Sequence, residues 1–417
     1  MDKISIHGGK ALEGSVKISG SKNASLPLMV LSLLTEEACV LDNVPNLNDV
    51  FTMKDLLSSL GVKNKTTESV LTLNAQNLVS LKAEYDLVRK MRASVLVLGP
   101  LLARYGEAEV SLPGGCAIGS RPIDLHIFAL KKMGAEFEIH EGYIKGRVPK
   151  GRLIGTEIEF AKQSVGATEN IIMAAALAKG TTLLKNVAIE PEIDDLILAL
   201  KKMGGDITRK GKNIIVNGVN YLNGFKHKVM ADRIEAGTYA MASVITKGKI
   251  KLINANEKHL LSVLNFLKNI GSTIYIEDQK IIVEGPKIIK SVNIKTEVFP
   301  GFPTDLQAQA MALMTVSSGE SVIEENIFEN RFMHIAELLR FGANIKVDGH
   351  KALIKGGVVL KGAQVMATDL RASSCLILAG LRAEGETLLS RIYHLDRGYE
   401  RVEEKFSLCG ANIKRLR

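Results

Sequence analysis

Residues 174–184, Ala174-Ala175-Ala176-Leu177-Ala178-Lys179-Gly180-Thr181-Thr182-Leu183-Leu184, read as the end of an apolar helix, a glycine turn and a strand. The same order returns at Leu378-Ala379-Gly380-Leu381-Arg382-Ala383-Glu384-Gly385-Glu386-Thr387-Leu388-Leu389, and around Gly248 and Gly319. Small residues let such helices approach one another closely, which places them inside a shell of sheets. A second pattern, a helix closed by glycine and followed by alternating residues, recurs at Gly61, Gly134, Gly204, Gly271, Gly342 and Gly410. Each glycine suits a helix C-cap. Segments such as Glu136-Phe137-Glu138-Ile139 and Asn344-Ile345-Lys346-Val347 then alternate as half-buried strands. The spacing is about seventy residues, longer than a solenoid repeat, so each unit is a substantial block. The chain reads as six copies of helix, strand, helix, strand, strand, an α/β fold.

The sixth copy stops seven residues after Gly410 and has no room for its return strand. Residues 1–21 are strand-like (Lys3-Ile4-Ser5-Ile6, then Ser15-Val16-Lys17-Ile18) and carry no helix. The expectation is that these N-terminal strands complete the last unit's sheet. That leaves two domains of three units each, residues 22–229 and residues 1–21 with 230–417. A chain of 417 residues also exceeds what one core holds. A cleft between the domains is the expected ligand site.

Composition excludes several function classes. Hydrophobic residues at 46% and charged residues at 24% fit a soluble globular protein. Tryptophan is absent and aromatics are few, which argues against a base-stacking surface. Cys39, Cys116, Cys375 and Cys409 show neither metal nor disulfide spacing, and the histidines form no cluster. No metal and no cofactor is expected, and a reducing, cytoplasmic setting fits. Apolar runs such as residues 26–34 are too short to span a bilayer, and no leader peptide is visible. The net charge of +9 comes without a Lys/Arg block, so small anionic ligands are favoured over nucleic acid.

Two groups of residues carry candidate chemistry. In Leu112-Pro113-Gly114-Gly115-Cys116-Ala117-Ile118-Gly119-Ser120-Arg121-Pro122-Ile123-Asp124, glycines and prolines exclude a regular element and leave a thiol and a guanidinium on a loop. A cysteine outside any apolar periodic segment is a candidate reactive thiol. The second group precedes each unit's first helix: Ser21-Lys22-Asn23, residues 89–92 ending in Arg92, residues 162–166 from Lys162, Asp232-Arg233, Thr304-Asp305 and Thr368-Asp369-Leu370-Arg371. Helix N-termini favour anions, so repeated cations there imply an anion shared with the helix. Taken singly, Asp232, Asp305 and Asp369 read as N-caps. Tyr393 to Arg401 and Glu329 to His334 mix aromatic, acidic and arginine residues at turns, and Asp396-Arg397 and Glu400-Arg401 read equally as surface ion pairs.

With these motifs in order along the chain, the sequence resembles the UDP-N-acetylglucosamine enolpyruvyl transferases, relatives of EPSP synthase. The carriers are Ser21-Lys22-Asn23, Leu112 to Cys116, Arg121 to Leu125, Phe302-Pro303-Thr304-Asp305, Phe328 to His334, Ala367 to Ala372 and Asp396 to Arg401. The resemblance implies a two-domain inside-out α/β barrel with three repeats per domain. It implies transfer of the enolpyruvyl group of phosphoenolpyruvate to the 3-hydroxyl of UDP-N-acetylglucosamine, releasing phosphate, as the first committed step of peptidoglycan synthesis. It assigns Cys116 as the acid that also forms a covalent adduct, and Asp305 as base. Lys22, Arg121 and Arg397 become the clamp on phosphoenolpyruvate, with Arg92 and Arg371 nearby. Asn23, Arg121, Pro122, Ile123, Asp124, Leu125, Lys162, Ser164, Val165, Asp305 and Ile327 become the UDP-sugar site, and Arg331 and Asp369 join the substrate-binding set. Gln163 departs from the family, which often has a small apolar residue there. Cys116 implies sensitivity to fosfomycin. The alternatives are the sister enolpyruvylshikimate phosphate synthase, which lacks the loop cysteine, and a non-catalytic polyanion-binding repeat protein. The substrates would be small molecules, with no membrane insertion.

Overall fold

The computed structural model describes residues 2–112 and 123–417. Cys116, Arg121 and Pro122 lie outside the described residues. The chain divides into two compact units, residues 20–112 with 123–230, and residues 2–19 with 231–417. Each has its own apolar core.

Among the described residues are six four-stranded sheets, all of one strand order. In one, Thr181–Lys185 lies between a parallel neighbour, Glu157–Glu159, and an antiparallel one, Asn213–Asn217, beyond which runs Asp206–Lys210. Parallel pairing requires a crossover, and the helix Val165–Ala176 supplies it. The parallel edge strand is missing from the sequence reading of the unit. In four sheets it is only two or three residues long, too short to display a period.

Two long-range pairings complete the unit that contains both termini. Lys3–His7 runs antiparallel between Glu386–Ser390 and Asn412–Leu416, in the place of the missing return strand. Glu13–Lys17 does not join that sheet; it pairs in parallel with Lys249–Ile253 as the edge of another. The last sheet has a gap one strand wide, so only the first N-terminal strand fits it. In the other unit, Phe225–Lys228 pairs in parallel with Cys39–Asp42, so its last strand completes its first sheet.

The helices behind these sheets are buried almost all round. In Arg233–Ile245, Gln307–Thr315 and Leu370–Arg382 nearly every residue is inaccessible, and the three helices pack on one another. A helix apolar on every side belongs in a core. The strands alternate instead, as in Lys249–Ile253, with one face on the helices and one toward solvent. All six recurrent turn glycines are left-handed, with φ from 84° to 106°, where a Cβ is disfavoured. No helix of the described residues is long and apolar enough to cross a membrane.

Candidate active site

In the unit of residues 231–417, Asp305 sits in the turn Thr304–Leu306 that leads into the helix Gln307–Thr315. Its position suits capping, yet neither the turn nor the helix has a side-chain cap. The carboxylate instead bridges two arginines. Oδ1 accepts from Arg331 Nη2 at 2.5 Å and Oδ2 from Arg371 Nη2 at 3.0 Å. Both guanidinium side chains are about one-twentieth exposed (6% and 5%), whereas Asp305 keeps 26%, so the carboxylate is the accessible member. Buried guanidinium groups require a fixed counter-charge. Burial works against the Arg371 charge, but Asp305, Tyr399 and Asp232 outweigh it and hold its pKa above the ordinary arginine value.

Asp369 and Asp232 do act as caps. Asp369 accepts from the amides of Arg371 and Ala372 at 2.7 and 3.0 Å, and Asp232 from those of Ile234 and Glu235. Arg331 Nη1 also lies 3.8 Å from Asp369, which joins Asp305, Arg331, Arg371 and Asp369 into one ionic cluster. Ile327 follows the strand Glu320–Glu324. Its amide and that of Phe328 donate to Glu325 Oε1, while Oε2 accepts from Thr304 Oγ1 at 2.8 Å. Glu325 thus ties the Ile327 loop to the turn that carries Asp305.

Arg397 ends the turn Ile392–Arg397. The flanking residues Arg391 and Arg401 are left-handed at φ 56° and 44°, unusual for side chains of that size. Asp396 is engaged by Arg415 through paired bonds of 3.0 and 2.6 Å, Glu400 accepts from Ser19 Oγ, and Arg401 lies 3.5 Å from Glu404. Asp396 and Glu400 thus find partners far away in the sequence, while Arg401 pairs within one helical turn. Burial lowers His334 to about 4 against the pull of Asp369 and with the help of Arg331. His394 is lowered too, by burial first and by Arg397 next. Among the described residues, His334 Nε2, His394 Nδ1 and Thr368 Oγ1 are buried without a partner, atoms that water or a polar ligand would complete.

The unit of residues 20–230 carries the other candidates. Lys22 and Asn23 open the helix Lys22–Val30, which Ser21 caps through the Ala24 amide. Lys22 Nζ lies 3.3 Å from Asp49 Oδ2, with both side chains largely buried. Arg92 opens the turn Arg92–Val97. Ile123 is buried and directly precedes the helix Asp124–Lys132, whose first turn holds Asp124 and Leu125. Burial and Arg92 lower His126 to about 4. Its Nδ1 lies 2.9 Å from Asn170 Nδ2, and Asn170 Oδ1 accepts from the Gly99 amide. That amide orientation makes Nδ1 an acceptor and leaves the imidazole proton on Nε2. Lys162 is exposed, Ser164 caps the helix Val165–Ala176, and Val165 is its first residue. Gln163 Nε2 donates to Val187 O at 2.8 Å.

Sequence reasoning missed Glu325, Asp49 and Tyr399. For Glu325 a signal existed, since it directly follows the strand Glu320–Glu324 in the phase of Ser321 and Ile323, and all three are buried. Asp49 had none, and Tyr399 lay inside the segment Tyr393 to Arg401 without standing out from it, because the partners of both are in other elements.

Solved structures place the fold. The enolpyruvyl transferase NikO from Streptomyces tendae superposes at TM-score 0.90 with 21% identity, covering 100% of this chain and 99% of that one. EPSP synthase from Acinetobacter baumannii superposes at 0.80 with 17% identity over 100% of both chains. The architecture is therefore that of the enolpyruvyl transferases. The sequence profile of the family described as EPSP synthase (3-phosphoshikimate 1-carboxyvinyltransferase) matches residues 6–406, and the chain belongs to that family. Within it, a relative from Rhodospirillum centenum named UDP-N-acetylglucosamine 1-carboxyvinyltransferase is 53% identical over 431 residues, covering 100% of this chain and 99% of the relative. A relative of the same name from Rickettsia prowazekii is 53% identical over 421 residues, covering 100% of both.

Proposed function

We propose that this protein transfers the enolpyruvyl group of phosphoenolpyruvate to the 3-hydroxyl of UDP-N-acetylglucosamine and releases phosphate, as a cytoplasmic enzyme of peptidoglycan synthesis. The observation that carries this reading is full-length identity of about half the residues with relatives bearing that activity's name. The chemistry needs an acid at the methylene carbon of phosphoenolpyruvate, a base at the sugar hydroxyl, and cations around carboxylate and phosphate. Protonation of the methylene carbon and addition of the hydroxyl oxygen to the neighbouring carbon give a tetrahedral phospho-ketal. Loss of a proton from the new methyl group then expels phosphate and restores the double bond.

Asp305 is assigned as the base, and its exposure relative to the two arginines that hold it supports the role. Lys22, Arg121 and Arg397 are assigned to the phosphoenolpyruvate anion, with Arg92 and Arg371 adding charge; guanidinium forks match carboxylate and phosphate oxygens in pairs. Cys116 is assigned as the acid. The two domains are proposed to divide at 22–229 and 1–21 with 230–417.

The test is phosphate release from phosphoenolpyruvate with UDP-N-acetylglucosamine, with shikimate 3-phosphate, and with neither. Release that depends on the UDP-sugar and stops after fosfomycin is expected. Release with shikimate 3-phosphate alone would move the chain to the sister activity. Asp305→Asn is expected to lower kcat at least 100-fold, roughly 3 kcal/mol of transition-state stabilisation.

A further inference from the structure

The N-terminal halves of three buried helices, Arg233–Ile245, Gln307–Thr315 and Leu370–Arg382, meet at one phenol. Tyr399 Oη lies 2.9 Å from Thr238 Oγ1, 3.2 Å from Gln309 Nε2 and 3.1 Å from Ser374 Oγ. All four side chains are at most 1% exposed. Each of the three helix residues also bonds back to the start of its own helix. Thr238 Oγ1 donates to Ile234 O, Gln309 Nε2 to Asp305 O at 3.2 Å, and Ser374 Oγ to Arg371 O.

Counting hydrogens shows what the phenol does. Thr238 and Ser374 spend their single hydroxyl hydrogens on main-chain carbonyls, so toward Tyr399 they can only accept. Gln309 must present its amide nitrogen, because the Asp305 carbonyl accepts and cannot donate. Tyr399 therefore accepts from Gln309 and gives its single hydrogen to either Ser374 or Thr238, while Gln309 Nε2 also lies 3.1 Å from Thr238 Oγ1. It stands two residues beyond Arg397, and Gly398 lets this segment lie against the helix Leu370–Arg382, since a Cβ there would meet Leu370 Cδ1 at 2.6 Å. The Arg371 guanidinium lies 5.8 Å from the Tyr399 ring centroid, within cation–π range.

We propose that the Tyr399 hydroxyl is a positioning group for the reaction, fixing the Arg397 segment against the turns that carry Asp305 and Arg371. This rests on the proposed enolpyruvyl transfer, in which Arg371 and Arg397 face the phosphoenolpyruvate anion and Asp305 takes the proton. A buried phenol within hydrogen-bond distance of three helices, in a cluster whose hydroxyl hydrogens are all engaged, leaves little freedom for those turns. Sub-ångström placement is what such a clamp requires.

The experiment is Tyr399→Phe, which removes one oxygen and keeps the ring over Arg371. The expected result is a KM for phosphoenolpyruvate raised at least fivefold and kcat lowered about tenfold, with KM for UDP-N-acetylglucosamine changed less than twofold. A lowered melting temperature with all three constants within twofold of the parent would overturn the proposal and leave the hub a packing feature. If Tyr399→Phe does not fold, Ser374→Ala decides: it loses one partner and is expected to raise the phosphoenolpyruvate KM two- to threefold, and unchanged constants overturn the proposal. The parent enzyme is assayed alongside, and absence of UDP-sugar-dependent phosphate release from it would refute the reaction rather than the positioning role.

Discussion

Thiol chemistry separates the four cysteines. Burial pushes Cys39 up to about 12, Cys409 up to about 11 and Cys375 well above the ordinary thiol value, so these three hold little thiolate at neutral pH. Cys116, in its glycine-rich stretch of sequence, is left as the candidate nucleophile. The native protein is expected to titrate a single fast thiol with Ellman's reagent and the Cys116→Ala variant none; a fast thiol surviving in that variant would refute the assignment. His334 offers a test of a different kind. Its folded pKa of about 4 lies below the ordinary 6.5. The unfolded chain therefore binds more protons between those values, and the neutral imidazole's contribution is lost as pH falls from 6.5 toward 4. From pH 7 to 5 this amounts to roughly 2 kcal/mol. His334→Gln is expected to flatten that part of the stability-against-pH curve measured by urea unfolding, and an unchanged slope would show that the histidine titrates freely in the native state. Glu169 has the opposite sign. Burial, then Glu192 and Glu190, raise its pKa well above 4.5, so its cost grows as pH rises and Glu169→Gln is expected to stabilise more at pH 8 than at pH 5.

At the scale of elements, the helix starts repeat in position but not in chemistry. Ser21, Ser164, Asp232 and Asp369 each accept amides of the first turn, while the corresponding carboxylate at Asp305 accepts arginines from elsewhere. Ser164→Ala is expected to cost about 1 kcal/mol of unfolding free energy by loss of the cap. If Ser164 also contacts the UDP-sugar, the same variant will raise that KM, and a stability loss with unaltered KM would confine it to capping. The repeated motif was legible in the sequence at each of these places. The departure at Asp305 was not, because Arg331 and Arg371 lie 26 and 66 residues away and no local pattern reports such a distance.

At the scale of the whole molecule, the first strand is structural mortar. Lys3–His7 satisfies the backbone edges of Glu386–Ser390 and Asn412–Leu416 together. Removing residues 2–7 would leave two strand edges unpaired and take Ile4 and Ile6, both fully buried, out of the core. Loss of amide-exchange protection in 386–390 and 412–416 is expected in that truncation. Protection should persist in the unit of residues 20–230, whose core contains nothing from this strand. Retained protection at 386–390 would mean that helix packing alone holds the last sheet.

What the sequence by itself determined is the local grammar: six units, glycine-closed helices, alternating strands, and the helix starts where cations collect. Those features are written in neighbours a few residues apart, where side-chain period and turn chemistry act directly. Only the tertiary structure decided which distant edges pair, so that one N-terminal strand enters the last sheet and the other the sheet of Lys249–Ile253. It alone bridged Asp305 between two buried arginines and gathered three helices on Tyr399. The reason is physical. A backbone edge or a buried charge must be satisfied by whatever lies beside it in space, and that partner can come from anywhere in the chain.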